Sequence, residues 1–488
     1  MRAAINLEAA FALLVLLCST GFSLSITQRS EAGDRKRWLL LLLMIPAALL
    51  WTLTIPLVSD DFVHIGFALH FTPDKIVELF TIPAGDRFFR PLGYISYAID
   101  ALWAGHSPAL WHLAALLIHF ANCLLVYLLA RQTGLARFFA ATAAVIFGIH
   151  GSRPEAVTWI ACRFDLIATL FVLATLSLFL RGRYWLALAT AFLALISKES
   201  AYVLPVLLVL VGRTPSSGAP PGPDPPVATP VASPVARLWR RVAPFAALTA
   251  AVFLYRWHLL SGIGGYQTAS HTPAILNFSI LRTANALLLR LWATLFFPIN
   301  WTEAPQWWLW IALGPGLAGY AAIALRGGRQ RRTLAFLLFA FIAALPVQQL
   351  LLIGPDLEKS RVLYLPSVGF ALFLAAALET LRHLKWRVPA AIAIMVFQTA
   401  CLEHNLLTWR GVALVARQAC DSVAASLAGN GKTVTVLDLP NVLRGVYFFH
   451  KGMPDCLEVG HGIDIRRVTE DHADLVFHWD PQSETVKR

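Results

Sequence analysis

The sequence predicts an α-helical protein that crosses a membrane many times, and three observations predict it. Of its 488 residues 57% are hydrophobic and only 14% charged, and the mean hydropathy of +0.63 is far from that of a soluble domain. Apolar runs long enough to span recur along the chain. Between them the basic residues gather in short loops, at Arg35 to Arg37, Arg181 to Arg183, Arg237 to Arg241, Arg326 to Arg332 and Arg382 to Arg387, which is the pattern of cytoplasmic loops. The net charge of +12 therefore reports orientation in a bilayer, and no nucleic-acid partner is needed to explain it.

Placing those loops in the cytoplasm gives spans near 38–58, 108–130, 136–150, 164–181, 183–197 and 200–212, then 242–259, 307–325, 334–353, 363–381 and 388–404. That is about 11–12 spans, depending on residues 1–27, an additional apolar segment that reads as a further span or a signal. The apolar stretch 281–298 carries Arg282 and Arg290, and the flanking spans alternate correctly without it, so it reads as re-entrant, surface-lying or part of a broken pair. Residues 38–212 form an N-terminal membrane half, with a large first outer loop at 59–90. Residues 213–237 are dense in Pro, Ser, Gly and Ala and form a cytoplasmic linker that cannot bury a core. A second membrane half follows at 238–404, and 405–488 form a small extracytoplasmic α/β domain. Its elements are an amphipathic helix at 405–428, a strand-like run from Thr433 to Leu437 and a polar end from Asp471 to Trp479.

Six cysteines are scattered along the chain, and only Cys420 and Cys456 fall in the tail, where spacing alone leaves their pairing open. The sequence holds no CxxC or HExxH metal spacing, no phosphate-binding P-loop, no GxSxG elbow, no dinucleotide fingerprint and no tandem repeat.

Charge is expensive near a bilayer unless it lines a polar cavity. Yet acidic and basic residues cluster at the ends of spans that the topology puts on one side: Asp60-Asp61, Arg87 to Pro91, His150 to Asp165, Lys198-Glu199 and Glu358 to Arg361. Clusters converging on one face argue for a reaction site at the membrane surface. Asp60 and Asp61 close the first core span and open the first outer loop, where a general base for an incoming hydroxyl belongs; taken alone, such a pair is also a solvated helix stop. Arg87 and Arg90 read as anchors or phosphate ligands. The segment Pro91 to Trp103, with Tyr94 and Tyr97, reads as an amphipathic helix lying in the interface. Within His150 to Asp165 the charges Arg153, Glu155, Arg163 and Asp165 read as a salt-bridge network that pins the helix ends, or else Arg153 or Arg163 reads as the ligand of an anionic phosphate. Lys198-Glu199 suggests a buried pair, and Lys359, Arg361 and Tyr364 suggest a second wall that could hold a lipid phosphate. His119 and Asn122, inside the second span, read as interhelical hydrogen-bonding groups.

Four runs carry a resemblance. They are Phe89-Arg90-Pro91-Leu92 through Trp111-His112-Leu113 and His119; Glu155 through Trp159 and Arg163 to Asp165-Leu166; Ser197-Lys198-Glu199-Ser200; and Glu358 through Arg361, Tyr364, Pro366 and Gly369. In order and spacing they are similar to those of the transmembrane and tetratricopeptide repeat O-mannosyltransferases and their bacterial relatives, over roughly residues 38 to 404. The resemblance implies a GT-C glycosyltransferase fold. It also implies transfer of a sugar, mannose foremost, from a polyprenyl-phosphate carrier on the extracytoplasmic face, with Asp60 and Asp61 as the catalytic acidic pair. Two departures stand out. The tetratricopeptide repeats are absent, and the family's His-Pro-x-His-Thr-Glu stretch is here His150-Gly-Ser-Arg-Pro-Glu155.

The expected chemistry is one displacement: Asp60 or Asp61 deprotonates an acceptor hydroxyl, the oxygen attacks the anomeric carbon, and the lipid phosphate leaves with inversion. Arg90, Arg163, Lys198, Lys359 and Arg361 are the expected cations for the departing phosphate, with His150, Glu155, Asp165, Glu199 and Tyr364 lining the donor site. No cofactor is required, and the acidic clusters leave room for a divalent metal without indicating one. The expected partners are the polyprenyl-phosphate-linked sugar, membrane lipids and an acceptor that is a protein, a glycan or a lipid. The competing class is a transporter or flippase for a lipid-linked sugar, which calls for inverted repeats and mid-span charges; here the charges crowd at the outer ends. Arginine in excess of lysine and compact loops fit a bacterial inner membrane.

Overall fold

The computed structural model describes residues 40–83, 88–213, 234–266, 273, 279–326, 331–381, 384–427, 431–449, 452–469 and 473–487. The apolar segment 1–27, Arg87 and the linker residues 214–233 lie outside the described residues. The chain is a polytopic α-helical membrane protein with a small strand-bearing tail. Six described helices are long and apolar enough to cross a membrane: Pro108–Gln132, Ile160–Leu180, Ala236–Leu259, Trp307–Leu325, Arg331–Leu350 and Lys385–Leu427. Five shorter apolar helices join them, at Leu41–Thr54, Arg137–Gly148, Tyr184–Leu195, Glu199–Gly212 and Pro366–Glu379. Each of the eleven overlaps a predicted span, and the last runs well beyond its predicted end at 404.

The short helices have a physical reason. Twelve residues at about 1.5 Å each reach only about 18 Å, well under the roughly 30 Å of a hydrocarbon core. What continues them is irregular backbone that carries the charged clusters. Arg137–Gly148 runs into a π-helical turn at Pro154–Thr158 and a 3-10 turn at Ile160–Cys162. Residues 151–160 are all buried, which is the condition for tolerating non-helical backbone at such depth.

Proline opens three of the helices, at Pro91, Pro108 and Pro366, where the missing N–H has no helical partner to lose. Helix Pro366–Glu379 packs on Arg331–Ala344 so closely that a Cβ at Gly369 would fall 2.4 Å from the Ala340 nitrogen. The glycine in the last motif thus serves backbone approach. The stretch 281–298 is helical from Ile280 to Phe296 with a π segment at Asn285–Arg290, and it is not among the apolar spanning helices.

The expected boundary at 405 is not a structural one. The last span and the amphipathic helix are one helix, Leu384–Leu427, of 44 residues. It is about 66 Å long, twice a hydrocarbon core. Nothing near 405 breaks a helix; the environment of the side chains changes there and the backbone does not. Beyond it the tail folds as expected for α/β. Strand β1 (Val434–Leu437) pairs parallel with β4 (Leu475–Asp480), which pairs antiparallel with β5 (Thr485–Lys487); β2 (Val442–Leu443) and β3 (Val446–Tyr447) form a hairpin. Leu475, Phe477 and Trp479 alternate inward along β4. The tail helix Met453–His461 packs against the long helix and is joined to it by a disulfide between Cys420 and Cys456.

Candidate active site

The loop after the first apolar helix opens with the helix Asp60–Leu69, whose first turn holds both aspartates at the positive end of the helix dipole. Ser59, just before it, is fully buried with φ 54 and ψ −126, a conformation that costs a non-glycine residue about 1–3 kcal/mol and must be held by its surroundings. The two aspartates differ. Asp61 is fully buried; its Oδ2 accepts the Val58 N–H at 3.1 Å and its Oδ1 accepts the Ala161 N–H at 3.0 Å, tying the loop to the Ile160–Cys162 turn. Burial pushes its carboxyl up to about 8, against the downward pull of the Ala161 and Val58 N–H groups. Asp60 is half-buried, and the Ser59 hydroxyl reaches its Oδ1 at 3.3 Å. Asp61 is placed as a structural pin and Asp60 as the carboxylate with access to solvent.

Between Asp60 and the basic side lies an aromatic floor. His64 stacks on Tyr97 with ring centroids 4.9 Å apart and contacts Tyr94 and Phe164. Burial, reinforced by Arg90 and Arg163, holds His64 down to about 4 and therefore neutral. Tyr94, on the helix Pro91–Ala104, senses both ends of the site: burial raises its phenol, Arg90 draws it down and Asp60 pushes it up.

At the far end three cations from separate segments meet. Arg90 donates from Nη2 to Glu199 at 2.7 Å and from Nε at 3.2 Å, and its guanidinium lies 4.1 Å from the Phe88 ring. Lys198 pairs with Asp165, both buried. Arg361 pairs with Glu155, which also accepts the Ser360 hydroxyl at 3.0 Å and the Arg361 N–H at 3.3 Å. Arg256, a buried cation within the span Ala236–Leu259, reaches Glu199 at 3.4 Å. Four cations thus face three carboxylates.

The excess has a visible focus. Tyr266 keeps part of its surface exposed, while its phenol shares a hydrogen bond with Arg361 and lies in the electrostatic field of Arg361, Arg90 and Lys198. Burial opposes its ionisation, yet the three cations together hold it below the usual tyrosine range. A group that stabilises negative oxygen here would stabilise a phosphate oxygen in the same place.

The remaining predicted residues fall elsewhere. Arg163 is buried, pairs with Asp100 and lies over the faces of Tyr97 and Trp111 at 4.8 and 5.7 Å, as a strut between helices. His150 is buried, bonding the Ser152 hydroxyl at 2.8 Å and the Leu295 carbonyl at 2.9 Å. Tyr364 is inside the bundle, its hydroxyl 2.6 Å from His119 Nδ1 and 3.2 Å from Asn122 Nδ2. Lys359, with φ 73, is half-buried and bonds Glu358 at 2.9 Å. Tyr266 and Arg256 escaped the sequence reading. Arg256 carried a signal, a charge inside an apolar span; Tyr266, in a glycine-rich loop, carried none. Among the described residues no group of three or more His, Cys, Asp or Glu side chains is placed to hold a metal ion.

No family model matches the chain. Over 120 residues it is 32% identical to the Protein O-mannosyl-transferase Tmtc1 of Drosophila melanogaster, a match covering 23% of this chain and 14% of that protein. Two crystal structures of ArnT from Cupriavidus metallidurans are similar in course. The apo state aligns over 91% of this chain and 90% of its own, at 15% identity and a TM-score of 0.47. The state bound to undecaprenyl phosphate aligns over 90% of each chain, at 14% identity and a TM-score of 0.46. The chain resembles an O-mannosyl-transferase in sequence over about a quarter of its length, and the matched stretch spans a small part of that relative.

Proposed function

We propose that this chain is an integral-membrane glycosyltransferase of GT-C type. It moves a sugar, mannose foremost, from a polyprenyl-phosphate carrier to an acceptor hydroxyl, with a protein serine or threonine as one acceptor class. The observation that carries the reading is the meeting of Arg90, Lys198 and Arg361 around the Tyr266 phenol, across an aromatic floor from Asp60. Asp60 accepts the proton of the acceptor hydroxyl; its oxygen forms a bond to the anomeric carbon as the bond from that carbon to the lipid phosphate breaks. The electron pair leaves with the phosphate, and configuration inverts. Negative charge grows on the leaving oxygen in the transition state, so excess cations at that end stabilise it more than the ground state. The partial likeness to an enzyme named for O-mannosyl transfer supports the sugar. The disulfide between Cys420 and Cys456 supports an extracytoplasmic tail, since such bonds persist in oxidising compartments. The excess of arginine over lysine supports a bacterial inner membrane as its location.

The test is binding of undecaprenyl phosphate by the purified chain. Parent protein should bind it, and Arg90→Gln with Arg361→Gln should weaken binding at least tenfold at equal folded yield, losing charge-assisted bonds of about 1.5–3 kcal/mol each. Equal binding by both proteins would remove the phosphate site.

A further inference from the structure

The tail reaches both ends of the candidate site. At the base end Gly452, with φ +99, lies against Ser59: a Cβ there would fall 2.6 Å from the Ser59 carbonyl oxygen. The tail helix Met453–His461 then runs along Asp60–Leu69, with Val459 and Asp455 facing Gly66 and the Val459 carbonyl 3.2 Å from His106. Asp455 is close enough to sense Asp60; burial raises its carboxyl, and Glu458 and Asp60 add to the rise. At the cation end Tyr447 stacks on Trp159 with centroids 4.5 Å apart. The Arg361 guanidinium lies 4.9 Å from the Tyr447 ring and 5.1 Å from the Trp159 ring, and the Tyr447 hydroxyl donates to Glu358 at 3.2 Å.

Tyr447 and Gly452, which make these two contacts, stand five positions apart in the sequence. The tail helix that follows Gly452 is anchored from behind, where the Cys420–Cys456 disulfide and the His461–Asp421 contact at 3.0 Å fasten it to the long helix. Ser59 needs such support, because its backbone conformation persists only where the surroundings enforce it.

We infer that the tail is a clamp that sets the position of the base turn relative to the leaving-group cations, with Gly452 and Tyr447 as positioning residues and the disulfide as its anchor. Its catalytic consequence rests on the proposed transfer reaction; its structural consequence does not.

The test uses the full chain in detergent with Gly452→Ala, a Cys420→Ala/Cys456→Ala double variant, Tyr447→Ala and Tyr447→Phe. Two readouts are taken: amide hydrogen exchange over residues 58–62, and kcat and KM with undecaprenyl-phosphate mannose. Gly452→Ala and the disulfide-free variant should exchange faster at 58–62 and lose on the order of 10²-fold in kcat at unchanged KM, the loss expected from a displaced catalytic group. Tyr447→Ala should raise KM about threefold at unchanged kcat, and Tyr447→Phe, which keeps the ring under Arg361, should restore it. Parent-like exchange at 58–62 in both base-end variants overturns the clamp. A parent that transfers no sugar overturns the proposed reaction instead, and exchange alone then decides the clamp.

Discussion

The two ends of the site are built differently. The base end is held by backbone: Asp61 accepts N–H groups from Val58 and Ala161, Ser59 is forced into an unusual conformation, and Gly452 lies against its carbonyl. The cation end is held by side-chain ion pairs and closed by an exposed tyrosine on a glycine-rich loop. The difference matches the two tasks proposed for them. Proton transfer needs a carboxylate within hydrogen-bond reach of one hydroxyl and tolerates little displacement. Stabilising a phosphate needs an excess of positive charge, which acts over longer distances and with less dependence on angle.

If that division holds, substitutions at the two ends should fail in different ways. The largest effect is expected from Asp60→Asn, which should reduce kcat by about 10²–10⁴-fold, the usual contribution of a general base, while undecaprenyl-phosphate binding stays at the parent value. Loss of lipid binding together with turnover would merge the two ends. Next is Arg90→Gln, which leaves Glu199 with Arg256 as its partner and should cost about 3 kcal/mol in the barrier, read as kcat/KM, with the Asp60 turn intact by hydrogen exchange.

A third effect concerns stability and sharpens the contrast between the two aspartates. Burial holds Asp61 up to about 8 in the folded chain, against about 3.9 unfolded. Its contribution to stability is therefore full below about pH 4 and is lost as pH rises through about 8. The thermal midpoint should fall between pH 6 and pH 9 in the parent and fall less in Asp61→Asn; parallel curves would show that Asp61 does not titrate in this range. The smallest effect is expected from Tyr266→Phe, which removes one hydroxyl from the cation end. A change in KM of about fivefold or less, with kcat kept, corresponds to a hydrogen bond worth about 1 kcal/mol.

Much of this arrangement was legible in the sequence because charge in apolar surroundings is rare and conspicuous. Asp60, Arg90, Lys198 and Arg361 stand out that way, and the three cations, from segments more than a hundred residues apart, all act on the Tyr266 phenol. His119 and Asn122 were read as interhelical hydrogen-bonding groups, and they bond Tyr364, Gly148 and Leu166 across helices. Tyr364 itself shows the limit of the method. Its place in a charged motif suggests the site, whereas it lies three positions beyond Arg361, past a 3-10 turn, and faces into the bundle. The continuous helix Leu384–Leu427 was hidden because a change from apolar to amphipathic pattern resembles the end of an element when only the surroundings have changed. Tyr266 was hidden because it acts through three residues distant in sequence.

The most direct measurement is release of undecaprenyl phosphate from undecaprenyl-phosphate mannose by the purified chain, with detergent-extracted membranes as the source of acceptor. Release should run in step with transfer of mannose to an acceptor, and an Asp60→Asn variant that still binds the lipid should show no release above background. Equal release by parent and variant, or a parent that binds the donor lipid and leaves it intact, would contradict the proposed transfer.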